Sequence, residues 1–352
     1  MKKISSIVKI GIYAAFVLMV MMSLTSPVMA ADTSCKTKYP IILAHGMSFY
    51  PSATLPTSFE GIWQGLKACG ADVIITTVDP NESTRVKAQH FVDGWTDNTP
   101  YSSEYGVTKM GFKQIQALYP ADTKFNIIGH SQGGLYTRDA ITNLGIAPYV
   151  ASLTTVDSPH RGSFINSIQT SIAAIFPWFA DIVNLGMPWH TDPAHIAAYN
   201  RNISDLTVEY MTKVFNPNTP DMSNVYYQSW TCAYRQYPMI GTMTYEMGLL
   251  YNYLMSVQAK RPAPTDGLAC FTAVAGTFPY LAVDALMLGG GLGDGLVQVD
   301  SAKWGNYLGL QQGPWYSKGL NHFDAVNLTN GKTWNAVDYW VKTVKDLKAK
   351  GF

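Results

Sequence analysis

Charged residues are scarce in this sequence of 352 residues: they make up 14% of it, whereas hydrophobic residues make up 47%. The 25 basic and 24 acidic side chains leave a net charge of +1, and no long run of either sign occurs. A nucleic-acid partner is therefore not expected, because binding to the phosphate backbone requires a basic patch. The low charge content predicts either a large apolar core or an apolar working surface.

The N-terminus has the pattern of a secretory signal peptide. Two lysines follow the first methionine, an apolar run covers residues 10–24, and small residues stand at the −3 and −1 positions of a cut after Ala30. The apolar part is short for a membrane span, although an uncleaved N-terminal anchor remains the alternative. We therefore expect a secreted, extracellular protein whose mature chain is 31–352.

Cysteine is also sparse, with four residues: Cys35, Cys69, Cys232 and Cys270. An even number in an exported protein predicts two disulfides, with four buried free thiols as the alternative. Proximity along the chain favours the pairs Cys35–Cys69 and Cys232–Cys270.

No internal repeat, low-complexity segment or linker is present, so residues 31–352 are expected to form one domain, with an unpatterned insertion at about 231–290. Apolar and β-branched runs predict strands at 39–44, 73–78, 125–128, 150–156 and 225–230. Helical spacing predicts helices at 58–69, 82–93, 105–119, 133–144 and 334–350. This alternation predicts an α/β fold, with a mostly parallel central sheet flanked by helices.

The most informative motif is G-x-S-x-G at residues 129–133, directly after a predicted strand and before a predicted helix. Glycines at this spacing allow a tight strand-to-helix turn that exposes the hydroxyl of Ser131. The same turn leaves the backbone N–H of Gln132 free to bind an oxyanion. Ser131 is therefore the candidate nucleophile.

A serine nucleophile needs a base, and the base needs an acid that orients it. His322, in a polar loop before the last helix, is the favoured base because nucleophiles on this kind of turn precede the acid and then the base. Three other histidines follow Ser131: His160, His190 and His195. Asp294, in a glycine-flanked loop, is the favoured acid, and Asp157 at the end of the fourth strand is the alternative.

A second oxyanion donor is expected from the loop after the first strand. His45-Gly46-Met47 follows the apolar run 41–44, and the glycine would let the backbone come close to the substrate. The N–H of Met47 is therefore predicted to act together with that of Gln132.

Five motifs in this order resemble the secreted bacterial triacylglycerol lipases of the Pseudomonas and Burkholderia type. The matching segments are 39–47, 129–134, 158–163, 294–297 and 321–327. The resemblance implies an α/β-hydrolase fold, a catalytic triad of Ser131, Asp294 and His322, and oxyanion donors at Met47 and Gln132.

The resemblance also implies a mobile helical lid at about 163–190. Independently, residues 163–188 are apolar almost all round, as in a helix that covers an apolar surface. A lid of this kind would open at an oil–water interface and contact the lipid. The alternative is a buried cap helix that does not move.

The chemistry needs no cofactor, but the resemblance implies a structural calcium near the base. Asp324 matches one ligand position, and Asp284 is the nearest candidate for a second carboxylate. Leu328 stands where the family has a glutamine-like ligand, and no cysteine follows 294–297 as it does in the family. The family's dependence on a folding chaperone has no support in this sequence.

Together these features predict a secreted serine carboxylester hydrolase, with a triacylglycerol lipase as the leading interpretation. A short-chain carboxylesterase, a polyester depolymerase or an acyltransferase would use the same triad. A non-catalytic binding protein on the same fold is a remote alternative, since such proteins usually lack a triad member and all three are present here.

Overall fold

The computed structural model describes residues 32–47, 59, 61–95, 107–108, 110–175, 193–235, 292–317, 319–327 and 334–352. The predicted signal peptide, most of the insertion and the second half of the predicted lid lie outside these ranges. Every helix within them is too short or too polar to cross a membrane.

Seven strands form one sheet in the order β3-β2-β1-β4-β5-β6-β7, and all neighbouring strands run parallel. The strands are β1 Ile41–Ala44, β2 Val73–Thr76, β3 Val107–Thr108, β4 Phe125–His130, β5 Val150–Val156, β6 Tyr226–Cys232 and β7 Asn306–Gln311. The predicted α/β fold with a parallel sheet is confirmed. The strands β3 and β7 were not predicted.

Helices connect the strands and cover both faces of the sheet. They are α1 Ile62–Ala68, α2 Thr84–Asp93, α3 Phe112–Gln116, α4 Gln132–Asn143, α5 Phe164–Ile175, α6 Pro193–Asp205, α7 Val208–Tyr210, α8 Val299–Ala302 and α9 Ala336–Ala349. The helix predicted at 105–119 was wrong in its first part, because residues 107 and 108 pair with Ile75 and Thr76 as the edge strand β3.

The strand β1 shows why the core has two layers. Its four residues are all fully buried, but alternate side chains point to opposite faces of the sheet. Ile41 and Leu43 pack in the layer that contains α1 and α9, whereas Ile42 and Ala44 pack in the layer that contains α2 and α4. A strand that is covered on both faces has a continuous run of apolar residues, and this run was the basis for predicting β1.

The carboxyl ends of the central strands meet at one edge of the sheet. His130 at the end of β4 is paired with Val156 at the end of β5, and Val156 is paired with Trp230 near the end of β6. The next residues along the chain, Ser131 and Asp157, therefore lie side by side. Ligand and catalytic sites of parallel α/β sheets usually lie at this edge.

One of the two predicted disulfides is present. Cys35 and Cys69 are bonded, with Cα atoms 5.1 Å apart, and the N–H of Cys35 donates to the carbonyl of Cys69 at 2.8 Å. The second pairing was wrong, because Cys232 is a buried free thiol at the end of β6. Cys270 lies outside the described residues.

Removing the Cys35–Cys69 bond is expected to destabilise the protein. The bond closes a loop with a sequence separation of 34 residues, and a loop of that size corresponds to about 4 kcal/mol of unfolded-state entropy. The double variant Cys35→Ala/Cys69→Ala should show this loss in urea unfolding at neutral pH. Reductant should lower the stability of the wild type but not that of the variant, and an equal effect on both would contradict the assignment.

Candidate active site

Ser131 occupies a strained turn between β4 and α4. Its φ of 55° and ψ of −129° are unusual for a residue with a side chain, and the N–H of Ser131 donates to the carbonyl of Val156 at 2.8 Å. The turn is possible because the flanking glycines pack against backbone. A Cβ on Gly133 would lie 2.2 Å from the carbonyl oxygen of Ala44, and one on Gly129 would lie 2.6 Å from the backbone of Gly133.

His322 and Asp294 form a buried hydrogen-bonded pair. The Nδ1 atom of His322 lies 2.7 Å from Oδ2 of Asp294, and the N–H of His322 donates to the Asp294 carbonyl at 2.9 Å. The other carboxylate oxygen of Asp294 accepts from the N–H groups of Leu296 and Val297, at 2.9 and 2.7 Å. An acceptor-only carboxylate at Nδ1 places a proton there, which leaves the Nε2 lone pair of His322 available as a base.

The base lies next to the serine turn. The ring of His322 is 4.6 Å from that of His130, the residue before Ser131, and Nε2 of His130 donates to the carbonyl of His322 at 3.1 Å. Within the described part of the chain, no hydrogen bond joins the Ser131 hydroxyl to the His322 ring. Such a bond is often long in an enzyme without substrate and tightens when the substrate binds.

The other histidines are placed differently. His160 is buried beneath a stacked Trp304, its Nδ1 accepts from Arg138 at 3.2 Å, and its Nε2 contacts the Thr155 hydroxyl at 3.0 Å. Burial and then the Arg138 charge hold the pKa of His160 well below its usual value. His195 belongs to the helix α6, and His190 lies outside the described residues.

The alternative acid, Asp157, is also at this edge, but Asp294 is the carboxylate that contacts His322. Asp157 is 1% exposed, its φ is 49°, and Oδ1 accepts from the N–H of Cys232 at 2.6 Å. Its other oxygen, Oδ2, has no hydrogen-bond partner in the described structure.

The loop predicted to bind the oxyanion lies against the serine. A Cβ built on Gly46 would be 2.5 Å from Cβ and 3.0 Å from Oγ of Ser131. Within the described ranges, the N–H groups of Met47 and Gln132 have no hydrogen-bond partner, and Gln132 is the first residue of α4, where N–H groups lack intrahelical acceptors.

His45 holds this loop in place. Its Nδ1 donates to the Gly46 carbonyl at 2.7 Å, and its Nε2 accepts from the N–H of Val78 at 3.2 Å. The hydroxyl of Tyr136 donates to the His45 carbonyl at 3.0 Å. These bonds require a neutral imidazole, and burial lowers the pKa of His45 to about 4.

This histidine predicts a pH-dependent stability. The unfolded chain binds a proton at His45 below its ordinary pKa of 6.5, whereas the folded state does so only near 4. Its contribution is therefore complete above pH 6.5 and is lost as the pH falls, by roughly 2–3 kcal/mol at pH 4.5. Urea unfolding at pH 7 and pH 4.5 should show a smaller decrease for His45→Gln than for the wild type. Equal decreases would mean that His45 does not resist protonation.

Two residues that the sequence motifs do not indicate, Lys87 and His130, support the site. Lys87 of α2 is fully buried and donates to the side-chain oxygen of Gln132, whose Nε2 donates to the Thr84 hydroxyl at 2.9 Å. These contacts fix the residue that carries one oxyanion donor, and burial lowers the pKa of Lys87 to about 7. Lys87 lies on the buried face of α2 with Ala88 and Phe91, and a lysine at such a position in the helical pattern could have indicated a buried contact. His130 occupies a variable position of G-x-S-x-G, so nothing in the motif marked it.

The predicted calcium ligand Asp324 is buried and begins a 3-10 turn, Asp324–Val326, directly after His322 and Phe323. Its Oδ2 accepts from the N–H of Asn321 at 2.9 Å. Asp284 and Leu328 lie outside the described residues. Inside the described ranges, His130, Asp157 and His322 are the one group of three potential metal ligands, and Asp324 is not among them. The calcium therefore stays a prediction.

The first half of the predicted lid is the helix α5. Its N-terminal residues Phe164 and Ile165 pack with Leu296 and Phe323, which are neighbours of the acid and the base, and with Tyr234. The Ser163 hydroxyl donates to the Leu296 carbonyl at 2.5 Å. The helix that was predicted as a lid therefore starts in contact with residues next to His322 and Asp294 along the chain.

The sequence is similar to those of several triacylglycerol lipases. One from Burkholderia plantarii is 32% identical over 205 residues, which cover 51% of this chain and 52% of that protein. One from Pseudarthrobacter phenanthrenivorans is 33% identical over 196 residues, or 49% of this chain and 56% of that protein. This chain thus spans little more than half the length of these relatives. The resemblance to Burkholderia-type lipases is confirmed.

Solved structures identify the fold, and a family model identifies the family to which the chain belongs. Lipase 1 from Pelosinus fermentans superposes with a TM-score of 0.54 at 16% identity, covering 89% of this chain and 99% of that one. EstA from Clostridium botulinum gives 0.51 at 17% identity, covering 93% and 90%. These matches confirm the α/β-hydrolase fold. The model of the palmitoyl protein thioesterase family matches residues 40–229, more than half of the chain. The chain therefore belongs to the palmitoyl protein thioesterase family, on an α/β-hydrolase fold.

Proposed function

We propose that the protein is a secreted serine carboxylester hydrolase whose substrates are lipid esters, with triacylglycerols as the leading class. The main support is the His322–Asp294 hydrogen bond of 2.7 Å, at the sheet edge where the strained Ser131 turn begins α4. A nucleophile, a base and an orienting acid are the minimum for acyl transfer through a serine.

In the proposed mechanism, the hydroxyl oxygen of Ser131 attacks the acyl carbonyl while Nε2 of His322 takes the hydroxyl proton. Asp294 stabilises the resulting imidazolium through Nδ1–H. The tetrahedral intermediate collapses to an acyl-serine when His322 gives its proton to the departing alcohol. Water then attacks the acyl-serine, again losing a proton to His322, and the fatty acid leaves as the serine regains its proton.

The developing oxyanion would be stabilised by the N–H groups of Met47 and Gln132. This assignment is supported by the close approach of Gly46, the residue before Met47, to Ser131 and by the position of Gln132 directly after the serine, at the start of α4. Lys87 and His45 keep the two donors in position. Donors that are already in position stabilise the oxyanion without the reorganisation that water molecules would need.

The helix α5 supports a lipid as substrate. Seven of its twelve residues are hydrophobic, it begins against residues beside the acid and the base, and Ile175 at its other end is 69% exposed. A helix with this distribution can leave the site and present its apolar face to a lipid surface. We propose that it is the first part of a lid.

Export is supported by the N-terminal pattern and by the Cys35–Cys69 disulfide, which is typical of oxidising compartments. Protein recovered from culture medium should begin at residue 31, and retention of residues 1–30 would favour an anchor.

A substrate panel tests the proposed class. Soluble p-nitrophenyl butyrate, emulsified long-chain triacylglycerol, a solid polyester and a palmitoyl thioester should be compared, each with and without chelator. We expect the rate per enzyme to rise sharply once the triacylglycerol exceeds its solubility. Preference for the soluble ester without this rise would support an esterase, and release from polyester would support a depolymerase.

The thioester arm tests a second candidate, which the family model favours. A thioester needs the same serine and the same oxyanion donors, so only the relative rate distinguishes the two substrate classes. Transfer to an added alcohol instead of water would indicate an acyltransferase. Absence of hydrolysis together with absence of labelling by a fluorophosphonate would leave the binding-protein interpretation.

A further inference from the structure

Asp157 has a backbone conformation that normally belongs to glycine. It follows the last residue of β5, and its φ of 49° lies in the left-handed region. A residue with a side chain persists there when something other than backbone preference requires it, and such residues cluster at active sites. Asp157 lies at the same sheet edge as Ser131.

The carboxyl group of Asp157 lies near the base, and one of its two oxygens has no hydrogen-bond partner within the described residues. One ligand atom from each of His130, Asp157 and His322 lies within 4.8 Å of the others, so an Asp157 oxygen is this close to a ring nitrogen of His322. Oδ1 accepts from the N–H of Cys232, whereas Oδ2 is buried without a partner. A buried oxygen of this kind is rare unless it has a role.

The two carboxyl groups beside His322 differ in how well they hold a charge. Asp294 is bonded to the N–H groups of Leu296 and Val297 and to Nδ1 of His322, whereas Asp157 accepts from the N–H of Cys232 and from its thiol, which is a weak donor. Two neighbouring buried carboxyls do not both ionise readily, so one proton is kept by the pair. Burial and then the Asp294 charge raise the pKa of Asp157 well above its usual value, so the proton resides on Asp157.

One of the remaining titratable groups around Asp157, the Cys232 thiol, donates to the carboxyl and lowers its pKa, but by less than burial and the Asp294 charge raise it. The other groups are the neutral His130, the base His322, and the phenols Tyr307 and Tyr339. No arginine or lysine is among the groups that act on its carboxyl in the described residues.

We propose that Asp157 is a reserve carboxyl of the catalytic relay, which supplies the negative charge beside the His322 imidazolium when Asp294 cannot. It acts through His322 and is a positioning residue. In that state the Asp157 carboxyl releases its proton to solvent, and the carboxylate stabilises the imidazolium that forms when Ser131 loses its proton. This inference rests on the proposed function.

Two substitutions of Asp294 distinguish a contribution from Asp157 from the loss of Asp294 alone. In Asp294→Asn, the amide oxygen keeps the bonds to Leu296 and Val297, so its NH₂ faces Nδ1 of His322 and moves the ring proton to Nε2. The base then has the wrong tautomer, and kcat/KM should fall about 10⁴-fold whatever Asp157 does. Asp294→Ala leaves Nδ1–H in place, so Asp157 can ionise and limit the loss to about 100-fold. Asp294→Ala is therefore expected to be more active than Asp294→Asn, although alanine is the less conservative substitution.

The double variant Asp294→Ala/Asp157→Asn provides the decisive comparison. Asparagine at position 157 tolerates the left-handed backbone and still accepts from the N–H of Cys232. The substitution therefore removes the negative charge and leaves the local structure nearly unchanged. The activity of the double variant should fall to about that of Asp294→Asn, some 10⁴-fold below wild type. The activity ratio of Asp294→Ala to the double variant should grow with rising pH as Asp157 ionises, because the two variants differ only in that carboxyl.

Hydrolysis of p-nitrophenyl butyrate and the rate of fluorophosphonate labelling should be followed from pH 5 to pH 9, with thermal unfolding of each variant. Asp157→Asn alone should lose less than tenfold, and Asp139→Asn, a buried aspartate of α4 paired with Arg85 at 3.0 Å, should keep its activity. If Asp294→Ala does not fold, Asp294→Ser replaces it.

A double variant as active as Asp294→Ala at every pH would overturn the reserve role. A loss in Asp157→Asn as large as that in Asp294→Asn would also overturn it, by making Asp157 the principal acid. Failure of the proposed function looks different, because the wild type would then neither hydrolyse esters nor react with the fluorophosphonate.

Discussion

Replacing Ser131 with alanine is expected to lower kcat for ester hydrolysis by about 10⁶-fold. The substitution removes the atom that forms the acyl intermediate, so His322 has no nucleophile to deprotonate. The remaining oxyanion donors could stabilise direct attack by water, which leaves a residual rate of about 10³-fold over the uncatalysed reaction. Stability should change little, because serine and alanine both carry a Cβ at the strained φ of 55°.

The measurement combines p-nitrophenyl butyrate hydrolysis, fluorophosphonate labelling and thermal unfolding. Ser152→Ala is a matched control, since Ser152 is a fully buried serine within β5, away from the sheet edge, whose hydroxyl donates to the Asn126 side chain at 2.7 Å. It should lose stability and keep its labelling. Turnover by Ser131→Ala at a tenth or more of the wild-type rate would reject the serine mechanism.

The parts of the fold that could be predicted are those whose signal is local. The run at 41–44 is apolar because both faces of β1 are covered, and that requirement is visible in four consecutive residues. The serine turn could be predicted for the same reason, since Gly129 and Gly133 are needed by contacts within the turn and with β1.

The parts that were missed depend on partners distant in sequence. β3 is two residues long and exists because it pairs with β2, and the pairing of β7 with β6 joins residues about 80 positions apart, as in Gln228 with Asn306. Cysteine pairing failed in the same way. Cys232 was assigned to the nearest unpaired cysteine, but its position beside Asp157 is set by the alignment of β5 and β6.

The candidate site was predictable as a set of residues but not as an arrangement. Spacing and chain order singled out His322 and Asp294, yet only the structure distinguishes Asp294, which contacts the imidazole, from Asp157, which lies near it. The roles of His130 and Lys87 follow from side-chain contacts across elements, for which the sequence carries no spacing rule.

A single methyl group at Gly46 is expected to lower kcat/KM about 10³-fold. The Cβ of Gly46→Ala would lie 2.5 Å from Cβ and 3.0 Å from Oγ of Ser131, closer than atoms can approach. Either the serine or the loop that carries the Met47 N–H must move. Displacement of a reacting group by about 1 Å typically costs 10²-fold, and loss of one oxyanion donor costs 10²- to 10³-fold.

Gly145→Ala is the matched control for this variant. Gly145 has a φ of 79°, so alanine is strained there, but its Cβ would meet nothing within 4 Å. Gly145→Ala should therefore lose stability and keep its activity, whereas Gly46→Ala should lose activity by a larger factor than its change in thermal stability explains. Wild-type kcat/KM in Gly46→Ala would mean that the loop does not lie against the serine when substrate is bound, and the assignment of Met47 as an oxyanion donor would be wrong.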